Sequence, residues 1–164
     1  MTNLRIFLTY GLPLGLFFIA LTIISYLLDI DTHQWLGYVT WIVMLVAAVY
    51  SIVDVRKKLG GYISFSFGFK VAFITLFTAS VISSIYFFIH VQLVHPNYVD
   101  ALIEAQRTEM INQGISPETV ERALSASSTF NSPAVFIPIG IITNAVVAAV
   151  ISALTAVVIK REEK

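Results

Sequence analysis

VAFITLFTASVISSIYFFIHVQLVHPNYV, residues 71–99, decides the fold. It contains no Asp, Glu, Lys or Arg and begins directly after Lys70. A helix rises about 1.5 Å per residue, so about 20 apolar residues cross the roughly 30 Å of bilayer hydrocarbon. Ile6–Leu28, Thr32–Val53 and Ala123–Ile159 are equally free of these charged residues. Lipid offers backbone amides no partner, so each such run must close its own hydrogen bonds, as a helix does. Spans are predicted near Ile6–Leu28, Trp35–Val53, Lys70–Val94 and Ala134–Ile159. Composition agrees, since 57% of the 164 residues are hydrophobic and 12% charged, where a soluble domain carries roughly 25% charged residues. The predicted fold is all-α: a single membrane domain over residues 1–164, a four-helix bundle with an extracytoplasmic helical hairpin between spans three and four.

The formal net charge is zero, but the charges are segregated. Arg5, Arg56, Lys57, Lys58, Lys70, Lys160, Arg161 and Lys164 fall on one side of the predicted membrane, and only Arg107 and Arg122 on the other. The acidic residues reverse this: Asp29, Asp31, Asp100, Glu104, Glu109, Glu118 and Glu121 lie opposite the basic side, with Asp54, Glu162 and Glu163 on it. Basic residues in short loops stay cytoplasmic. The expected arrangement is therefore multi-pass in the cytoplasmic (inner) membrane with both termini in the cytoplasm. The first run is longer than a signal-peptide core and lacks a small-residue cleavage site before Asp29, so it reads as a retained helix.

Outside the membrane the expected helical segment is Asn97–Ser127. Asn97 is a candidate cap for a helix carrying Val99, Leu102, Ile103 and Met110 on one face, with Gln106 as a polar break. Gly114 supplies a left-handed stop, and Ser116-Pro117-Glu118 starts a second helix with Val120 and Leu124 at i, i+4. Such short helices are marginal alone, so the hairpin packs on itself, on the bundle or on a partner. It reads as a structured connector, or else as a docking surface for an envelope protein.

On the opposite side, Gly60-Gly61 ends the second helix after Arg56-Lys57-Lys58. Tyr62, Phe65, Phe67 and Phe69 follow, with Ser64 or Ser66 able to cap a short interfacial helix before span three. Arg56, Lys57, Lys58 and Lys70 are the expected lipid-headgroup residues, either as ordinary interfacial anchors or as a lipid-phosphate site.

Within the spans, Gly11 and Gly15 form a close-packing pair around Pro13, which is expected to bend the helix. Ala145, Ala149 and Ala153 form one small-residue ridge on span four and Ala148, Ser152 and Ala156 its neighbour, for packing inside the bundle or against a second copy of the chain. Ser80, Ser83, Ser84, Thr143 and Asn144 are polar residues of spans three and four that are expected to hydrogen-bond between helices. No carboxylate, Lys or Arg lies deep in a span, as ion-coupled carriers and intramembrane metalloproteases require. His90 lies about two turns from Ser83 and Ser84 with no acid to orient it, a poor catalytic pairing. Asp29, Asp31 and His33 meeting His90 or His95 would be a weak metal candidate. There is no cysteine and no nucleotide-binding or HExxH motif. No cofactor, catalytic residue or nucleic-acid partner is expected.

The run Gly60-Gly61-Tyr62-Ile63-Ser64-Phe65, followed by Phe69-Lys70, resembles the domain of unknown function 4199 family. Four hydrophobic segments, an outer helical stretch with Met110 and a Pro117-Glu118 turn, and a small-residue last span ending in Lys160-Arg161-Glu162 extend the resemblance over nearly the whole chain. It implies a small four-span protein of the bacterial cytoplasmic membrane and transfers no catalytic residue. Three functional classes stand open. An accessory or scaffolding subunit of a membrane or envelope complex suits the small size and uncharged spans. A lipid or small-solute handler, in transport or lipid-linked sugar translocation, suits the basic cluster and the serine track. An enzyme would have to use His90 or the outer Asp/His group.

Overall fold

The computed structural model describes residues 2–30, 33, 35–127 and 133–160. Six helices account for nearly all of them. The first, α1, runs Asn3–Leu27, α2 runs Trp35–Lys58 and α3 runs Phe65–Val94. The short pair is α4, Tyr98–Asn112, and α5, Pro117–Ser127, and the chain closes with α6, Pro133–Ile159. Helices α1, α2, α3 and α6 are long and apolar enough to cross a membrane. Their outward faces carry large apolar side chains such as Leu16, Trp41, Val46, Ile85, Ile142 and Leu154, all exposed. A water-soluble monomer does not display an apolar surface of that extent, and the chain is a multi-pass membrane protein.

Helix ends follow local chemistry. Gly60 (φ 82) and Gly61 (φ 98) terminate α2, and the Gly61 N–H returns to the Arg56 carbonyl at 2.9 Å. Asp29 (φ 55) closes α1, where the Ile30 N–H reaches the Ser25 carbonyl. Gly114 (φ 82) separates α4 from α5, and Ser116 Oγ accepts from the Thr119 N–H to cap α5. Asn97 precedes α4 but makes no side-chain capping bond, contrary to expectation. Ser64 caps α3 itself rather than a separate interfacial helix. Nothing interrupts the helix after it, because Phe65, Phe69, Phe73 and Phe77 stack at i, i+4 with centroids 6.2, 5.7 and 5.5 Å apart.

Helix α3 is the central element and packs along α1, α2 and α6, with α6 its broadest interface. Small residues set the spacing. Gly68 lies 3.6 Å from the position of Ala156 Cβ and Ile52 Cγ2, measured from where its own Cβ would stand. Ala148, Ser152 and Ala156 are buried while Ala145, Ala149 and Ala153 are half-buried, so the α6 ridge is covered within the chain. Gly11 and Gly15 face Thr78 and Ile82 of α3. Just before Pro13, α1 widens into a turn of i→i+5 bonds over Phe7–Gly11. This accommodates a ring that would otherwise crowd the carbonyl four residues back. The start of α1, the end of α2 and the end of α6 meet at one end of the bundle, the termini end. Tyr10 OH donates to Asp54 Oδ2 at 2.5 Å there, and Arg56 Nη1 donates to the Ile159 carbonyl at 3.1 Å. The α4–α5 hairpin marks the other end. It is clasped by Arg107, which pairs with Glu121 and Glu104, and it buries Val120 and Leu124.

Candidate functional site in the hairpin half of the bundle

All four spans contribute to a cavity of about 340 Å³ in the half of the bundle nearer the hairpin. Its apolar walls are Phe18, Leu21, Met44 and Phe87, and its polar lining is Thr22 of α1, Thr40 of α2, Ser80, Ser83 and Ser84 of α3 and Asn144 of α6. The lining carries no charged side chain. A second chamber of about 140 Å³ shares Leu21, Thr22, Thr40 and Phe87 with it and adds Ser25, His90 and Tyr98 towards the hairpin end.

The hydroxyls divide into two groups. Thr22 donates to the Phe18 carbonyl, Thr40 to Leu36 and Ser83 to Ser80, each one turn back in its own helix. These bonds satisfy a hydroxyl in lipid without joining helices. Ser80, Ser84 and Asn144 have no hydrogen-bond partner among the described residues, and all three line the cavity. The expected interhelical bonds through these residues are therefore not formed among the described residues. Their donors and acceptors point to a space with room for a guest, and an unsatisfied amide in hydrocarbon costs several kcal/mol. Thr143, next to Asn144, is exposed and does not line the cavity.

An aromatic collar closes the hairpin side. A turn of i→i+5 bonds, His90–Val94, ends α3, and the His95 N–H bonds to the His90 carbonyl at 2.8 Å. His90 is buried, with Tyr86 OH 3.4 Å from its Nδ1 and the Tyr26 ring edge-on at 5.0 Å. Tyr26 also meets His95 at 5.0 Å, and Tyr98 meets both His95 and Phe87. The rings of His90 and His95 thus pack on aromatic neighbours. Asp29 and His33 are exposed in the α1–α2 turn, and Asp31 lies outside the described residues. Among the described residues no three His, Asp or Glu side chains are grouped to hold a metal ion.

At the termini end the four basic candidates do not form one cluster. Arg56 caps the α6 carboxyl end. Lys58 turns towards α1, bonding Asp54 at 2.6 Å and Tyr10 OH at 3.3 Å. Lys57 and Lys70 are exposed. Successive helical residues point about 100° apart, so neighbours in sequence reach different helices. Sequence reading missed Thr22, Thr40 and Gly140 as cavity lining and Tyr10 as the partner of Asp54. The one available signal was the i, i+4 pair Asp54–Lys58 at a span end.

Four apolar helices around an uncharged, partly polar cavity define a polytopic membrane protein with an internal site in the half nearer the hairpin. The chain belongs to the family described as protein of unknown function (DUF4199), whose model matches residues 9–161. No curated protein and no solved structure matches it.

Proposed function

We propose that the protein binds an uncharged, hydrogen-bonding molecule in the four-helix cavity, as a lipid or small-solute handling component of the bacterial inner membrane. The observation that carries this reading is the set of unspent polar groups, Ser80, Ser84 and Asn144, facing one space walled by all four spans. Hydroxyls and an amide with no nearby charge suit a hydroxylated ligand such as a sugar or glycerol moiety better than an ion. The segregation of basic residues to the termini end supports a cytoplasmic location for both termini. The cavity then opens towards the extracytoplasmic side.

Purification of wild type and Asn144→Leu from native membranes, with co-purifying lipids and solutes identified by mass spectrometry, tests the reading. An uncharged hydroxylated compound retained by wild type and reduced about fivefold or more in the variant is expected, from the loss of about one net hydrogen bond. Identical compounds in identical amounts would refute it.

A second reading, an accessory subunit, draws on a broad open groove between α4 and the start of α2, lined by His33, Trp35, Leu102 and Glu104. With the buried α6 ridge engaged inside the bundle, this groove offers a surface for an envelope protein partner. A stoichiometric partner lost on Leu102→Glu substitution would favour it. Lack of any partner in gently solubilised membranes would count against it.

A further inference from the structure

A second site, independent of the outer cavity, lies at the termini end between the first turns of α1 and the last turn of α2. Arg5, Thr9, Val55, Lys58 and Leu59 enclose a pocket of about 510 Å³ there. Arg5 and Thr9 are four residues apart and both exposed, on the face of α1 that adjoins the buried Ile6 and Tyr10. The Arg5 guanidinium and the Thr9 hydroxyl have no partner among the described residues. Lys58 is fixed in place by Asp54 and Tyr10 OH, which engage two of its three donors and leave one. Even with Asp54 counted, the pair of cations leaves the pocket with a net positive charge. Val55 and Leu59 give it an apolar side.

Two cations from different helices, a hydroxyl and an apolar wall, set where the basic ends of the spans meet the headgroup region, match a phosphodiester that carries acyl chains. We propose that Arg5, Thr9 and Lys58 bind the phosphate of an anionic phospholipid. The site differs from a general attraction of the basic end for the membrane. Arg56 is committed to the Ile159 carbonyl, and Lys57 and Lys70 line no part of this pocket.

The test titrates the full chain in uncharged detergent with phosphatidylglycerol and, separately, phosphatidylcholine, counting bound lipids by native mass spectrometry. Arg5→Gln and Lys58→Gln should each weaken phosphatidylglycerol binding about fivefold, the effect of one basic residue near a lipid phosphate. Lys57→Gln and Lys70→Gln should leave it within about twofold. Because Lys58→Gln also disturbs Asp54, Thr9→Val serves as a further variant and should weaken binding without altering the helical circular dichroism. Equal losses in all four charge variants, or no loss in Arg5→Gln, would overturn the proposal. So would displacement of the lipid by millimolar inorganic phosphate, which would make the site one for a free anion. None of these outcomes bears on Asn144 or the outer cavity.

Discussion

Replacing Gly15 by alanine tests the way α1 and α3 are joined. A Cβ at Gly15 would stand 3.0 Å from Ile82 Cβ, 3.1 Å from its Cγ2 and 3.3 Å from its Cδ1. Carbon atoms rest at about 3.5–4.0 Å, so the new methyl group is at least a few tenths of an ångström too close to all three. Ile82 is β-branched and holds one rotamer in a helix, which leaves separation of the helices as the main relief. Overpacking of this kind costs about 1–3 kcal/mol, and the better helix propensity of alanine returns up to about 1 kcal/mol. The net expectation is a loss of up to about 2 kcal/mol relative to wild type, and a larger gap to an alanine placed where no clash occurs. At Gly11 the clash is with Thr78 Cβ at 2.9 Å, and a Gly11→Ala change should behave similarly. The two effects should add to less than their sum, since one retreat of α1 relieves both. Gly37 and Gly140 provide the contrast, with nothing within 4 Å of a Cβ built at either. Alanine at those positions should be neutral or stabilising. The assay is an unfolding titration in mixed micelles of rising sodium dodecyl sulfate content, followed by helical circular dichroism. If Gly15→Ala is as stable as Gly140→Ala, the close approach of α1 and α3 is wrong.

Two further outcomes follow from the packing. Tyr10→Phe removes the hydroxyl that donates to Asp54 and accepts from Lys58, and should lower stability by about 1 kcal/mol in the same titration; an unchanged midpoint would mean the bond has no net value. Leu124→Ala empties the buried contact of α5 and should cost the hairpin about 2 kcal/mol or more. Hydrogen exchange should then quicken across α4 and α5 but not in the spans, and unchanged exchange in α5 would show that Leu124 does not hold the hairpin.

The spans are legible in the sequence because lipid permits little else: an uncharged apolar run of this length has to be a helix. Turn chemistry was equally plain at Gly60, Gly61, Gly114 and Ser116, where a positive φ or a capping hydroxyl acts within a few residues. Long-range partners were not legible. Ser80, Ser84 and Asn144 stood out as polar residues in apolar runs, but Thr22 and Thr40 gave no comparable signal, and only the arrangement of four helices brings all five to one cavity. The basic run Arg56-Lys57-Lys58 looked like one patch. The helical turn sends Arg56 to α6 and Lys58 to α1. The wide turn at Phe7–Gly11 adds a residue to α1 and shifts its buried face, which a fixed period of 3.6 does not anticipate.

The most direct test of the cavity uses the absence of native cysteine. Single Ser84→Cys and Ile142→Cys proteins would be placed in sealed vesicles, and a small membrane-impermeant thiosulfonate added on the hairpin side. Thiols react as thiolates, which form in water and not in lipid. Ser84 lines the cavity, whereas Ile142 is 65% exposed on the apolar outer face of α6. The account predicts rapid labelling of Ser84→Cys and little of Ile142→Cys. Equal resistance of both would mean that the space among the four helices is closed and dry, and would contradict the binding site drawn from it.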